Sequence, residues 1–532
     1  MLARTYCREV IFEPAGELVR VCGWVRSVHP DHFELWDWTG LVEVEFAIDP
    51  RPTLQPGNVV DLLGDVRQRA NPTKIACHQI TLVNECVAGA REEVGPFSPH
   101  SYLRFRDHSR LDLLRVSNRA ARAVRELLSA EGCIEIHTPI LWQSVQEYGE
   151  PEIAVSHPNL NGQKVVLLQS PLVTSLLSAI GGIERSFQFA RCFRTEGDVE
   201  DPLKSCEFTQ LNITLTFTTL RETQRLIERL LGALFEEIVG IELPGPFPTI
   251  AYDDCILRYG DDRPDFRYPE CLLPRFDPAD VGLSTSNGAV QGMLVPNPLP
   301  PEVAFGIETA LRRESNNHFG IASVGSDSVT WIGNLRLRRD LRAVLAELGA
   351  AVPATLLLAP GPTERARALL RHLLQAAEPF MHGRARPRFA PVWIERFPFL
   401  QSPSGSLTPG MHRSRSLFAR RMDASAPPEQ QTSVGFDLVV NGTELASGGE
   451  KEYRADRFAA GLTAAGVVDT RSYDHYVTAL KSGAPPLSNT AIGWDRLLWV
   501  MLQTPRMHDL MLLPSNSRGM LPVGAGAGHD WR

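Results

Sequence analysis

Arg194 and Glu196 stand two residues apart where an alternating apolar run, FQFARCF, gives way to a polar segment rich in turn residues. Residues two apart on a strand project from one face, so the guanidinium and the carboxylate point the same way. An arginine fork suits a phosphate and a glutamate accepts from an amine, which fits the pair to hold ATP against an amino acid. The same pair could also be a solvated or salt-bridged strand end. A second candidate lies in AIGWDRLLWVML, from Ala491 to Leu502, where Asp495 and Arg496 directly follow a glycine.

The surrounding patterns say what must position these groups. From Phe187 to Phe217, two alternating runs flank the polar segment and predict a long antiparallel hairpin. The second candidate reads as a short apolar strand up to Gly493. A helix follows, with Asp495 and Arg496 in its first turn and Leu497, Leu498 and Met501 on its apolar side. In SNRAARAVRELLSAEGCIEIHTPIL, Ser117 reads as a helix cap, Ala121, Val124 and Leu128 as one face, Gly132 as the stop and Pro139 as the end of a strand. Near the N-terminus, VRVCGWVRSV, HFELWDW, LVEVEF, VVDLLGDV and ITLV are short alternating strands that predict a small Greek-key barrel. Such a barrel binds single strands on exposed aromatics, for which His32, Phe33, Trp36 and Trp38 are candidates, or as easily keeps those rings in its core. Further on, SDSVTWIGNL reads as a strand, and RRDLRAVLAELGA and TERARALLRHLLQAAE as amphipathic helices.

At 532 residues and 43% hydrophobic, the chain can build several cores. A net charge of -8 does not describe a nucleic-acid coat, although a local basic patch could still bind RNA. Nine cysteines without a CxxC pair read as reduced thiols rather than a disulfide frame or a zinc site. MLARTYCREV lacks an apolar signal core and no run approaches a membrane span, so a soluble, cytoplasmic protein is expected.

The FRTE of Phe193 to Glu196 resembles motif 2 of class II aminoacyl-tRNA synthetases, GWDR of Gly493 to Arg496 resembles motif 3, and the Ser117 stretch resembles motif 1. Within that class, Gln169, Ser170 and Pro171, with PFPTIAYDDCILRYGDDRPDFRY from Pro246 to Tyr268, resemble bacterial aspartyl enzymes. The resemblance implies an α+β protein: an N-terminal OB-fold β-barrel of the anticodon-binding kind at 1–88, a linker at 89–112, and an antiparallel-sheet catalytic domain at 113–271 and 390–532. A bacterial-type α/β insertion domain would lie between motifs 2 and 3, at 272–389. It implies ATP and Mg2+, an amino acid, tRNA and a homodimer formed through motif 1. Arg194, Glu196 and Arg496 would be catalytic. ATP would be held by these three together with Phe208 and Glu444, and the metal by Asp437 and Glu444. The amino acid would meet Glu147, Ser170, Leu172, Ser175, Asn212 and Lys451, with Ser144 in the same closing loop as Glu147.

The chain departs from the aspartyl pattern in specific places. Leu172 and Ser175 stand where that family has Gln and Lys, and Lys451 where it has Arg. Leu487, Ser488 and Asn489 replace an HGG, and Asp198, Glu200 and Asp201 stand in place of arginines in the motif 2 loop. In the barrel, Glu43 replaces a Gln and the basic run shrinks to Arg26. A buried carboxylate needs a cation partner. Either one cation does the work of two, or the substrate lacks a free side-chain carboxylate. The resemblance therefore implies an aspartate-tRNA ligase; its alternatives are a paralogue passing an activated amino acid to a small amine, carrier or protein, and a non-catalytic RNA-binding or regulatory form.

Overall fold

Leu18–Val28, His32–Trp36, Leu41–Phe46, Val59–Gln68 and Thr73–Asn84 are the strands of a closed barrel, in which the last two exchange places around the ring. The structure, a computed structural model, describes residues 2–68, 72–86, 95–98, 100–143, 151–156, 158–160, 164–195, 203–259, 261–268, 274–281, 289–296, 299, 301–314, 318–361, 386–401, 413–414 and 416–515. Two compact units are present: the described residues within Met1–Arg122, Thr195–Glu207 and Thr504–Arg532 form one, and those within Ala123–Arg194 and Phe208–Gln503 the other.

In the first unit, barrel strands alternate as their sequences require: Val19, Val21 and Val25 of one strand meet Phe33 and Leu35 of the next in the interior. Of the two readings left open for these rings, Phe33 (0% exposed) and Trp36 (6%) follow the second and belong to the core. Trp38 remains 53% exposed, with the Arg115 guanidinium 5.3 Å from its ring, and His32 stacks on His29 at 4.4 Å. Glu43 is held by Lys74 at 2.5 Å. The same unit contains a buried arginine. Arg104 donates through Nη2 to the carbonyls of His508 at 2.7 Å and Met511 at 2.6 Å, fastening the turn Met507–Leu510. Burial lowers its pKa to about 10, with Arg110 adding to the effect.

The helix expected to start at Ser117 runs from His108 to Ala130. Asp107 is its cap: the carboxylate accepts from Ser109 N at 2.9 Å and its carbonyl from Arg110 and Leu111. Leu111 and Leu114 extend the apolar spacing backwards, so Ser117 lies inside the helix. Ala120, Val124 and Leu128, four apart, are the buried positions, and Gly132 takes a positive φ of 77° just beyond the end.

The second unit is built on an eight-stranded sheet, in the order Thr249–Ala251, Pro391–Glu395, Gly435–Val440, Thr443–Lys451, Leu487–Gly493, Glu207–Thr216, Arg185–Phe193, Ile134–Glu135. Pairing is antiparallel across the five strands from Pro391–Glu395 to Glu207–Thr216, with parallel pairs at both edges. The helix Leu220–Val239, held by a Thr219/Glu222 capping box and a left-handed Gly240, meets the sheet where Trp393 Nε1 donates to Glu228 at 2.8 Å. A further five-stranded antiparallel sheet arises from residues 275–361. The helix Pro301–Glu314 buries Ile307 and Leu311 against Met293, Val295 and Leu357, and the helix Leu341–Glu347 buries Val344 and Leu345 with Leu294, Leu356 and Leu358. Strand alternation separates these two sets. The expected strand at SDSVTWIGNL is Val329–Gly333, whereas TERARALLRHLLQAAE lies outside the described residues.

Candidate active site

Register decides which side chains share the sheet face. Asn212 lies opposite Ala491, Ala491 opposite Ser447, and Ser447 opposite Asp437. The next row holds Thr214, Asn489, Gly449 and Gly435, and the one after it Thr216, Leu487 and Lys451. Directly opposed residues project from the same side. Gln210 faces Gly493 in the row on the other side of Asn212. The hairpin partner joins this face through Cys192, whose Sγ donates to Gln210 Oε1 at 3.2 Å, and Arg194, whose guanidinium sits 5.4 Å from the Phe208 ring. Polar and charged groups thus surround a floor of small residues, Ala491, Ser447, Gly449 and Gly493. Three strand spacings, about 14 Å, separate the strands carrying Asn212 and Asp437. A face this polar, with a low floor, can receive an extended charged ligand.

Glu444 reaches the same face by an irregularity. Counting back from Ser447 in steps of two puts Leu445 on the site side and Glu444 on the other. The ladder, however, pairs Leu438 with Ala446 and then Val439 with Glu444, leaving Leu445 as a bulge. Glu444 therefore shares the side of Val439 and Asp437. Arg263 Nη2 lies 3.1 Å from its carboxylate, and Arg496 Nη1 donates to its carbonyl at 2.9 Å. Asp495, in the first turn of Trp494–Leu502, accepts from Thr209 N at 2.7 Å and ties that helix to the strand bearing Phe208. Arg194 Nε donates to Gln169 O at 3.2 Å, so its guanidinium is oriented by backbone as well as by Phe208.

The expected amino-acid end is mostly neutral. Ser170 Oγ accepts from Leu172 N at 3.2 Å at the start of Leu172–Ile180. Ser175 Oγ accepts from Gln188 Nε2 at 3.0 Å, and Gln188 Oε1 accepts from Thr138 N and Oγ1, each at 3.2 Å. Leu172 and Leu487 join an apolar cluster with Leu176, Phe418 and Tyr476. Asn212 and Asn489 exchange amide hydrogen bonds at 3.3 and 3.0 Å, and Asn489 also donates to Thr214 Oγ1 at 2.8 Å. Lys451 is buried, at 7% exposure. Glu147, Glu196, Ser144 and the acidic trio Asp198, Glu200 and Asp201 lie outside the described residues. Asp437 and Glu444 carry carboxylate oxygens, the donors a hard divalent cation prefers, and are the two residues that would hold such an ion. Among the described residues no group of three or more His, Cys, Asp or Glu side chains forms a metal cluster.

Three participants were not assigned from the sequence: Gln188, Arg263, and Asn489 as the partner of Asn212. Gln188 was within reach of simple counting, being six residues, three strand repeats, before Arg194.

The chain belongs to the class II tRNA synthetases of the D, K and N group, whose family model matches residues 98–517. It is an AMP-forming ligase of that family, with the OB-like barrel ahead of the catalytic sheet. It is 28% identical over 572 residues to the aspartate-tRNA(Asp/Asn) ligase of Moorella thermoacetica, covering 96% of this chain and 92% of that one. It is 27% identical over 492 residues to the aspartate-tRNA(Asp) ligase of Deinococcus radiodurans, covering 90% and 84%. Among solved structures, the asparaginyl-tRNA synthetase of Pyrococcus horikoshii complexed with asparaginyl-adenylate shares the fold with a TM-score of 0.62 at 17% identity, over 98% of this chain and all (100%) of that one.

Proposed function

We propose that this enzyme activates aspartate, or a closely related amino acid, with ATP and passes it to tRNA. The observation that supports this reading is the single sheet face carrying Arg194, Phe208 and Asp437, with Glu444 turned onto it by the Leu445 bulge and joined to Arg496. An amino-acid carboxylate oxygen attacks the α-phosphorus, the bond to the bridging oxygen breaks, and pyrophosphate leaves. An acceptor hydroxyl then attacks the carbonyl carbon and AMP departs. Arg194, already fixed by Gln169, binds the α-phosphate and the substrate carboxylate, Phe208 and Arg496 flank the adenine, and Asp437 and Glu444 hold magnesium. Bound magnesium supplies neutralisation of phosphate charge. Positioning and charge compensation carry the reaction, so no protein nucleophile is required. The enzyme acts in the cytoplasm as a homodimer through its motif 1 helix and strand.

A second reading is favoured by one observation, the neutral lining at Leu172, Ser175 and Leu487. In that reading the activated amino acid lacks a free side-chain carboxylate or is delivered to a non-tRNA acceptor. ATP-pyrophosphate exchange across aspartate, asparagine, their analogues and other amino acids, each with and without total tRNA, tests both. Exchange with aspartate followed by acid-precipitable aminoacyl-tRNA is the expected result. Exchange without charging selects the second reading, and no exchange with any amino acid overturns both.

A further inference from the structure

The carboxylate of Glu444 faces a cation, Arg263, carried on the segment that follows the helix Tyr252–Tyr259. Arg263 Nη2 lies 3.1 Å from that carboxylate, with the arginine side chain 52% exposed and the glutamate 20%, and its Nε is 3.8 Å from Asp262. The backbone beneath Arg263 is tied on both sides. Before it, Cys255 Sγ donates to the Asp261 carbonyl at 3.1 Å. After it, the Asp265 carboxylate accepts from Arg267 N at 3.0 Å and from the Arg267 guanidinium at 2.7 Å. Phe266 packs on the cluster of Tyr259, Cys255, Ile394 and Val439, and Val439 is the residue paired with Glu444. A fixed backbone thus aims a long, half-exposed cation at one of the two proposed metal ligands. An ion pair this open is weak, so exchanging it for another anion costs little. Asp437 and Glu444 also place two negative charges on the face that has to receive polyphosphate. Among the residues given roles above, Arg194 serves the α-phosphate and Arg496 the adenine, which leaves the departing pyrophosphate without a protein cation.

We propose that Arg263 binds the pyrophosphate half of the nucleotide, exchanging the Glu444 carboxylate for the β- and γ-phosphates when ATP and metal bind. This rests on the adenylation reading above. One move then does two things: it frees Glu444 for the cation and brings an arginine fork to the charged oxygens of the leaving group, which departs with the electron pair of the broken bond. The test titrates the full chain calorimetrically with pyrophosphate in the presence of magnesium, and separately with AMP. Arg263→Gln should weaken pyrophosphate binding by about 10–100-fold, the loss expected for charge-assisted bonds, and leave AMP binding unchanged, since Arg194 and Phe208 serve that half. Arg263→Lys, which keeps the charge without the fork, should recover part of the loss. Binding of Mn2+ alone, followed by electron paramagnetic resonance, should tighten in Arg263→Gln because a competing cation has gone. A residue that only braces Glu444 would give the opposite, looser Mn2+ binding. The proposal is overturned if pyrophosphate binding is unchanged, if AMP binding falls along with it, or if Mn2+ binding loosens. A wild-type enzyme that binds neither AMP nor pyrophosphate rejects the adenylation reading, and this proposal with it, before any variant is compared, so the two failures are distinct.

Discussion

Arg194 is held from two sides before any ligand arrives, by the Gln169 carbonyl and by the Phe208 ring. Its proposed role is confined to charge that develops on phosphate, so Arg194→Ala should lower pyrophosphate exchange by about 100–1,000-fold. Far-ultraviolet circular dichroism should be unchanged, and a variant of normal activity would discard the mechanism. Asn489 tests a different quantity. Its amide satisfies Asn212 and Thr214 in a buried row, so Asn489→Ala leaves the Asn212 amide without its partner. Urea unfolding should show a loss of about 1–3 kcal/mol; no loss would mean that the pair is not formed. Two-residue periodicity makes Arg194, Phe208, Gln210 and Asn212 legible from sequence as occupants of one face. Whether Phe33 and Trp36 stack on bases or fill a core was not legible, because alternation gives two faces without saying which is inside.

At the scale of elements, the strand Thr443–Lys451 does most to shape the site. Gly449 has φ of 135°, and a Cβ there would stand 2.4 Å from Val434 O and 2.5 Å from Gly435 Cα. Both obstacles are backbone, so they cannot swing aside. Gly449→Ala should destabilise the protein on the order of 3 kcal/mol, combining backbone strain and overpacking; differential scanning calorimetry with an unmoved midpoint would contradict the pairing with Gly435. The bulge at Leu445 is the clearest limit on reading this chain from its pattern. Strict alternation assigns Glu444 to the wrong side, and only pairing with Val439 reveals the shift. The helix start is a second limit. Asp107 and Ser117 are both good caps by residue type, and the apolar contacts of the intervening turns decide between them. The elements themselves, their order, and the strand-to-helix transition at Gly493 were available from periodicity and turn residues.

Across the whole molecule, each unit carries a histidine whose pKa burial pushes below its ordinary value, His508 in the first and His475 in the second. His508 Nε2 meets the Lys204 carbonyl at 2.9 Å and so keeps the proton of the neutral ring, while its buried Nδ1 has no partner. The unfolded chain then binds protons that the folded chain does not. Stability from these groups is complete above about pH 6.5 and is lost as pH falls toward their lowered folded values. The thermal midpoint should decline from about pH 6.5 to 5, more shallowly in His508→Gln, and a flat profile would remove these histidines from the account. Among the described residues no helix is long and apolar enough to cross a membrane. Arg104 has a consequence in time. Its acceptor at His508 lies 404 residues further along, so at ribosomal rates of about 5–20 residues per second a nascent Arg104 waits roughly 20–80 s for it. The earliest part of this protein to be synthesised is completed among the last, and until then its guanidinium must stay hydrated or find a temporary host.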